Sequence, residues 1–197
     1  MAKNSTSALP KRYENMAAAE DDILASIAKH QKAKPSETLR LTAMGYKFGV
    51  FIDLIGKLGQ TDGIDPSRLA VTAYLPEAEF VRNWPAPNNR AAQTFDDDAE
   101  TIVRAREKLD EDFAGITYVP YWHHPMFCGW IIDESDFFFG FVTWDDDEDA
   151  QSFRIAANPC YHVTSTEGIF GDLRNWMTNR RQVFDLWAEV GAPEKLR

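Results

Sequence analysis

The chain has 197 residues, with 31 acidic and 21 basic side chains, a net charge of −10 and two cysteines. An acidic surface repels polyanions, so bulk nucleic acid is not expected as a partner, and two cysteines are too few for a disulfide scaffold. No apolar run approaches the roughly 20 residues of a membrane span and no signal peptide opens the chain, so a cytoplasmic protein that does not bind membranes is predicted.

The N-terminal region combines a polar segment with a helical pattern. Residues 1–12 are polar and contain a proline, which predicts a disordered arm. Tyr13 to Gln31 has helix-forming composition, with Ile23 and Ile27 in an apolar stripe. This stripe must be buried on the main domain, on a second copy of the chain or on another partner. Lys32 to Ser36 is predicted to be the linker that follows.

The next segment predicts a strand, a helix and a second strand. Apolar residues alternate with polar ones from Thr38 to Ala43, recur at helical spacing from Phe48 to Leu58, and alternate again from Leu69 to Leu75. A strand, helix and strand in this order are typical of a parallel sheet.

A long loop is expected from Glu77 to Thr94, which is rich in proline and asparagine. Asp96 to Asp98 is predicted to open the following helix, because acidic side chains are favourable at a helix N-terminus. Ile116 to Trp122 indicates a third strand. The acidic run from Asp145 to Asp149 lacks the spacing of a calcium loop and is predicted to be a solvated loop tip.

A hairpin is predicted in the stretch between Tyr121 and Trp144, which is rich in aromatic residues. Phe127 to Asp133 and Phe137 to Trp144 are its strands, and Glu134 to Asp136 supply the turn. After the hairpin, a short strand is expected around Phe153 and Ile155.

The C-terminal part predicts one more helix. Thr164 to Glu167 offers a capping box, and apolar residues follow at helical spacing up to Val190. The predicted fold class is therefore α/β, with a mixed β-sheet layered with helices and an added N-terminal helix. We expect two parts, an N-terminal arm, helix and linker over 1–36 and an α/β domain over 37–197.

The hairpin resembles the core signature of the phospholipase D superfamily. In that family a strand carries His-x-Lys, an Asp follows five residues after the Lys, and Gly-Ser-x-Asn comes after six more residues. Asp133 and Gly140 occupy the Asp and Gly positions of this frame. The order of elements from 37 to 190 also resembles one phospholipase D half-domain.

The resemblance implies a pseudoenzyme. Met126 and Cys128 stand where the family has its nucleophilic histidine and its lysine, and Thr143 replaces the asparagine. Neither Met nor Cys supplies both an attacking imidazole and a phosphate-binding cation. The expectation is a catalytically inactive binding or regulatory module, of the kind that bacteria attach to regulatory or stress-response systems. Because the family pairs two half-domains around one site, a homodimer is also implied.

Two groups of residues are candidates for a ligand site. Gly45, Tyr46 and Lys47 follow the first strand of the parallel pair, where a helix N-terminus and an ammonium group can hold a phosphate-bearing small ligand. Met126, Cys128 and Thr143 line the family's pocket if it is kept for binding. A protein partner is the other expectation, and no cofactor is predicted.

Two alternatives remain open. The first is a phosphodiesterase or nuclease that uses displaced histidines, with His123, His124 and Asp133 as its catalytic residues. The second is a metal-binding module. Its ligands would be two histidines and two cysteines that suit zinc or another transition metal, namely His124, Cys128, Cys160 and His162.

Overall fold

The computed structural model describes residues 10–46, 49–112, 115–122, 127–147, 152–155 and 158–165. The α-helices are α1 (Glu20–Ala33), α2 (Gly49–Leu58), α3 (Ala78–Arg82) and α4 (Asn89–Asp112). The strands are β1 (Lys11–Tyr13), β2 (Leu39–Met44), β3 (Leu69–Pro76), β4 (Ile116–Tyr121), β5 (Phe127–Ile132), β6 (Asp136–Phe141), β7 (Trp144–Asp147), β8 (Ser152–Ile155) and β9 (Cys160–Thr164). These elements confirm an α/β fold built on a mixed sheet.

Seven of the strands form one sheet in the order β1-β9-β6-β5-β2-β3-β4. Strands β2, β3 and β4 are parallel to one another, and every other neighbouring pair in the sheet is antiparallel. The β5–β6 hairpin therefore lies between the parallel half and the antiparallel edge. Strands β7 and β8 form a separate two-stranded sheet.

The strand, helix and strand predicted after the linker are confirmed as β2, α2 and β3. Leu39, Leu41 and Ala43 are buried on one face of β2, and β3 runs parallel to β2 with Leu41 paired to Val71. Helix α2 buries Leu54 on the same side. The alternation of apolar residues thus fixes which face of each strand meets the helices.

The N-terminal segment differs from the sequence prediction. Residues Lys11 and Arg12 belong to β1, which pairs antiparallel with β9, so the prediction of disorder is wrong for these two. A single-turn 3₁₀ helix at Ala17–Ala19 follows, and α1 therefore begins at Glu20 rather than at Tyr13. Helix α1 buries its apolar stripe against the sheet of the same chain, which decides between the three partners considered for it.

The segment from Glu77 to Thr94 is not a long loop, because α3 and the start of α4 lie inside it. The side-chain Oδ1 of Asn88 accepts a hydrogen bond of 2.8 Å from the Ala91 amide, as an N-cap does. The helix therefore begins before the acidic run that was predicted to open it. Asp98 lies within α4 and is buried.

The hairpin is confirmed, with a turn shifted by one residue and a second strand that ends at Phe141 rather than at Trp144, which belongs to β7. Asp133 to Ser135 form the turn, and Asp133 and Glu134 have φ angles of 48° and 56°. Few side chains accept this left-handed backbone, and Asp is among those that do. The acidic run was predicted as a loop tip, but Asp145 to Asp147 belong to β7.

The two faces of the large sheet differ in composition. One face packs against α1 and α2 and is called the helix-side core; it includes Ile23, Leu41, Val71, Trp130 and Phe138. The opposite aromatic face carries Met44, Tyr74, Tyr121, Phe137, Phe139 and Val163. The predicted helix after Thr164 lies outside the described residues, as does the rest of its capping box beyond Ser165. The division at residue 36 stays a prediction, although both parts supply strands to one sheet.

Candidate functional site

Asp133, the frame residue of the hairpin, has a structural role in the turn. Its amide donates a hydrogen bond of 2.8 Å to the Arg40 carbonyl, and its Oδ2 lies 2.5 Å from the Lys34 ammonium. The hydrogen bond with Asp133 raises the pKa of Lys34. Asp133 therefore ties the hairpin turn to β2 and to the end of α1.

Cys128 and Gly140 face each other across the β5–β6 pair. Burial raises the pKa of the Cys128 thiol to about 11, so the side chain is neutral at pH 7. A Cβ on Gly140 would lie 3.0 Å from the Pro159 carbonyl oxygen, so a glycine allows this close backbone approach. The position that the resemblance matches to the family's lysine thus holds an uncharged group.

Gly45 uses both of its backbone polar groups within the fold. Its amide donates to the Tyr74 carbonyl at 3.3 Å, and its carbonyl accepts a hydrogen bond of 2.9 Å from the Tyr121 hydroxyl. A Cβ at this position would lie 2.5 Å from the Phe51 ring, so the loop approaches α2 closely. An anion at this turn cannot be bound by the Gly45 amide.

Tyr46 is buried rather than open to a ligand. Its ring meets Trp144 edge to face with centroids 5.1 Å apart. Burial, followed by the charge of Asp98 and a hydrogen bond with it, raises the pKa of Tyr46. Thr143 is exposed, and its Oγ1 accepts a hydrogen bond of 2.8 Å from Asn158. The predicted ligand residues within the described part of the chain thus each contact other residues of the fold.

Several predicted site residues lie outside the described residues: Lys47, His123, His124 and Met126. Of the predicted metal ligands, Cys128, Cys160 and His162 are described. Across the described ranges, no group of three or more His, Cys, Asp or Glu side chains is placed to hold a metal ion. His162 is instead engaged by a carboxylate.

That carboxylate belongs to Asp136, which binds two histidines at once. Its Oδ2 lies 2.6 Å from Nε2 of His30, and its Oδ1 lies 2.6 Å from Nε2 of His162. The three groups come from α1, β6 and β9, so the cluster joins the N-terminal helix to two strands. The His162 ring also stacks on Phe138, with centroids 3.9 Å apart. We call these residues, His30, Asp136 and His162, the His–Asp–His cluster.

The ionisation state of Asp136 determines which groups donate and which accept the hydrogen bonds of the cluster. Burial raises the pKa of Asp136, but the hydrogen bonds from His162 and His30 outweigh burial and lower the pKa to about 2. An ionised carboxylate only accepts hydrogen bonds, so each imidazole donates from Nε2. In its neutral form each ring then presents Nδ1 as an acceptor. A histidine oriented in this way is suited to proton transfer.

A second carboxylate, Asp22, lies on α1, the helix that also carries His30, and makes hydrogen bonds of its own. Asp22 accepts a hydrogen bond of 2.5 Å from the Tyr13 hydroxyl and is paired with the Lys11 ammonium. The hydrogen bonds from Lys11 and Tyr13 lower the pKa of Asp22, and the charge of His162 lowers it further. The network therefore also holds β1 at the edge of the sheet.

The space beside the cluster is small. An open groove lined by the end of α1, the segment after it and the start of β2, including His30 and Lys34, spans about 140 Å³ with open solvent counted. Pockets that bury a drug-sized molecule span roughly 300–1,000 Å³. Of the two imidazoles, only His30 borders this groove, and the groove is too small to bury a drug-sized molecule.

Sequence reasoning missed His30 and assigned Asp136 only to a turn. His30 lies on a predicted helix and its partner is 106 positions away, so no local spacing links them. One signal was available, since an acidic residue on an apolar strand needs a partner when that strand is buried.

Two comparisons with known proteins found no match to this chain. No model of a known protein family matches it, and no curated protein sequence matches it. Among the described residues, no helix is both long enough and apolar enough to cross a bilayer. The resemblance to the phospholipase D superfamily therefore stays a prediction from the hairpin spacing and the order of elements.

Proposed function

We propose that this chain is a catalytically inactive, phospholipase D-like module that acts by binding, and that it works as a homodimer in a bacterial regulatory or stress-response system. The observation that carries the proposal is the neutral thiol of Cys128, which occupies the position of the family's lysine. A neutral group offers no charge to the phosphate oxygens of a transition state.

Two further observations support a binding role over catalysis. The frame residue Asp133 is engaged in the hairpin turn by Lys34 and Arg40. The open groove beside His30 is smaller than a substrate pocket. A hairpin kept for structure while its reactive side chains are replaced is what a pseudoenzyme requires.

The contacts at the end of β2 favour a protein partner over a phosphate-bearing ligand. The Gly45 amide and carbonyl are both bonded within the fold, and Tyr46 is buried. In contrast, Phe141 ends β6 with 52% of its surface exposed. A single exposed ring is common on protein surfaces, so the bonded Gly45 and the buried Tyr46 carry the preference for a protein partner.

Hydrolysis assays test the inactive state. Purified protein is incubated with bis(p-nitrophenyl) phosphate and with a fluorescent phosphatidylcholine, and we expect rates equal to the buffer blank. Turnover that is lost in His124→Ala but kept in the surface variant Lys29→Ala would overturn the proposal.

Native mass spectrometry of gently purified protein tests the binding role. We expect the mass of a homodimer without a nucleotide-sized adduct. A dimer with such an adduct, lost in Lys47→Ala and kept in Lys29→Ala, would make a phosphate-bearing ligand the better proposal. A monomer across micromolar concentrations would contradict the dimer.

A second candidate function is a phosphodiesterase or nuclease that uses His30 and His162 in place of the displaced histidines His123 and His124 considered from the sequence. The His–Asp–His cluster favours it, because two imidazoles oriented by one carboxylate can act as acid and base. In this case the same assays would detect hydrolysis, and both His30→Gln and His162→Gln would abolish it while His124→Ala would not.

A further inference from the structure

We propose that the C-terminal segment, residues 166–197, docks on the aromatic face of the large sheet of its own chain and covers it. The segment lies outside the described residues, whereas the buried residues of that face are described. The burial of the face, its strand register and the place where the described chain ends all point to this occupant. None of these observations depends on the resemblance to phospholipase D.

The aromatic face is buried, although its described residues all lie on strands. Val163, Tyr121 and Phe137 are 0%, 1% and 2% exposed. The members of the cluster, and the partly buried residues packed against it, come from strands alone. Among the described helices, α1 and α2 pack in the helix-side core, and α3 and α4 contribute to a third cluster around Tyr46 and Phe95. Because the outer face of an uncovered sheet stays in contact with water, a further segment must cover this one.

The buried residues of this face form a band that crosses the sheet. Val163 on β9 pairs with Phe137 on β6. Phe139 lies level with Met44, because both pair with the same residue of β5, and Met44 pairs with Tyr74 on β3. The band therefore runs obliquely from β9 towards β4. These two strands are five positions apart in the sheet, which is about 24 Å at roughly 4.8 Å for each spacing.

The same face is exposed on both sides of the band. Arg40, Ala70 and Thr117, near the starts of β2, β3 and β4, are exposed. At the other border, Phe141 follows Phe139 on the same face of β6 and is exposed. A band with these borders fits one helix, whose diameter with its side chains is about 10 Å.

The C-terminal segment has the length and composition that this band requires. Residues 166–197 are the longest stretch outside the described residues, and the stretch at the other chain end, residues 1–9, has a polar composition. A helix that spans about 24 Å needs about 16 residues at about 1.5 Å each. Apolar residues recur at helical spacing from Ile169 to Val190, which is longer than this.

The end of the described chain brings this segment to the band. Ser165 is the last described residue and follows β9 directly. Val163, which is fully buried in the band, lies just before it. The Ser165 amide donates a hydrogen bond of 2.8 Å to the Ser135 carbonyl, which fixes the exit of the chain beside the hairpin turn. The chain thus leaves the sheet at the β9 end of the band, and a helix that continues from there needs no long connection.

This cover determines which surfaces of the molecule are open to others. With residues 166–197 in place, a protein partner or a second copy reaches the aromatic rings only after displacing them. A homodimer would then use another surface of the chain.

Photo-crosslinking of the full-length chain tests the inference. The photoreactive residue p-benzoylphenylalanine replaces Tyr161 or, in a second protein, Ile131, both of which pack partly buried against the aromatic cluster. We expect most cross-linked peptides to fall within residues 166–197. The matched control carries the same group at Ala70, which is exposed on the same face. Because Ala70 lies about 13 Å along β3 from Tyr74, it should give at least about five-fold fewer of these products.

Denaturing electrophoresis separates the possible occupants. A cross-link within one chain leaves the mass of one chain, which we expect, whereas a cross-link to a second copy doubles the mass. Doubled mass would assign the face to a second copy and overturn the proposal. Products that fall outside residues 166–197 would assign it to another segment and overturn the proposal as well.

A second measurement needs no photoreactive group. Trp176→Asp places a charge in the predicted apolar stripe, and Asn175→Asp adds the same charge next to it as a control. Anilinonaphthalene sulfonate binds exposed apolar surface, and its fluorescence should rise at least about two-fold with Trp176→Asp and stay unchanged with Asn175→Asp. Circular dichroism establishes that both variants are folded, and the cross-linking result decides if one is not. Unchanged fluorescence in folded Trp176→Asp would overturn the proposal.

Discussion

Asp136 and Gly140 lie on the same face of β6, yet their surroundings are opposite in chemistry. Asp136 is an ionised carboxylate whose two oxygens both bind imidazoles. Gly140 lies between two neutral thiols. Both places bring together β6, β9 and the N-terminal segment. One strand can thus hold its neighbours through charged hydrogen bonds at one end and through apolar contacts at the other.

Of the two ends of β6, the end at Asp136 should contribute more to the free energy of unfolding. Asp136→Ala leaves two partly buried imidazoles without their acceptor, and we expect a loss of about 3 kcal/mol in the free energy of unfolding. Urea unfolding at pH 7, followed by circular dichroism, measures it. Asp136→Asn keeps the shape and one acceptor oxygen, so it should cost less. A loss below about 1 kcal/mol in Asp136→Ala would show that the imidazoles find other partners.

The charged end should also respond to acid. The pKa of Asp136 is lowered from 3.8 to about 2, so its ionised form stabilises the fold above pH 4, and this contribution is lost as the pH falls towards 2. The difference corresponds to roughly 2 kcal/mol. Unfolding free energies measured from pH 5 to pH 2 should fall by that much more in wild type than in Asp136→Asn. Parallel curves for the two proteins would contradict the assignment.

At the other end of β6, near Gly140, the free energy of unfolding should change with a polar substitution but not with low pH. Cys160→Ser places a hydroxyl where the thiol is fully buried, and we expect a loss of about 1–2 kcal/mol in the free energy of unfolding. Cys128→Ser is the matched control and should cost less, because Cys128 is only partly buried. Urea unfolding at two pH values distinguishes the ends, since the Cys160→Ser loss should be the same at pH 4 and pH 7.

The smallest effect on stability is expected at the hairpin turn that precedes Asp136. Lys34→Ala removes a partly exposed ion pair with Asp133, and such pairs contribute little. We expect a decrease in thermal midpoint close to the limit of measurement. Adding 1 M salt should shrink the difference further, because salt screens exposed charges. A large decrease that persists in salt would mean that Lys34 holds the turn by packing.

The regular parts of the fold could be predicted from local patterns. Strands β2 and β3 follow from alternating apolar residues, and α2 from its helical spacing, because burial on one face imposes both periods. Strand β1 could not be predicted in this way. Its residues Lys11 and Arg12 are polar, and it is a strand because β9 provides hydrogen-bond partners.

The candidate site residues show the same difference between local spacing, which the sequence reveals, and distant contacts, which it does not. Cys128 and Gly140 were identified because both lie on one hairpin, whose spacing is local. His30 was missed because its partner comes from a distant strand. The start of α4 was misplaced because the Asn88 cap lies in a proline-rich stretch that favours a loop. Local spacing thus predicts elements, while the contacts that combine distant elements need the three-dimensional fold.

The position of β1 has a consequence for synthesis. Met16 and Cys160 are 144 positions apart, and β1 pairs with the last described strand of the sheet. A ribosome therefore releases the N-terminal segment long before its docking strand exists, and such distant pairings form slowly. Among the described strands β1 is made first but pairs late, so a nascent chain stalled before β9 should expose an unpaired β1 that a chaperone or protease can reach.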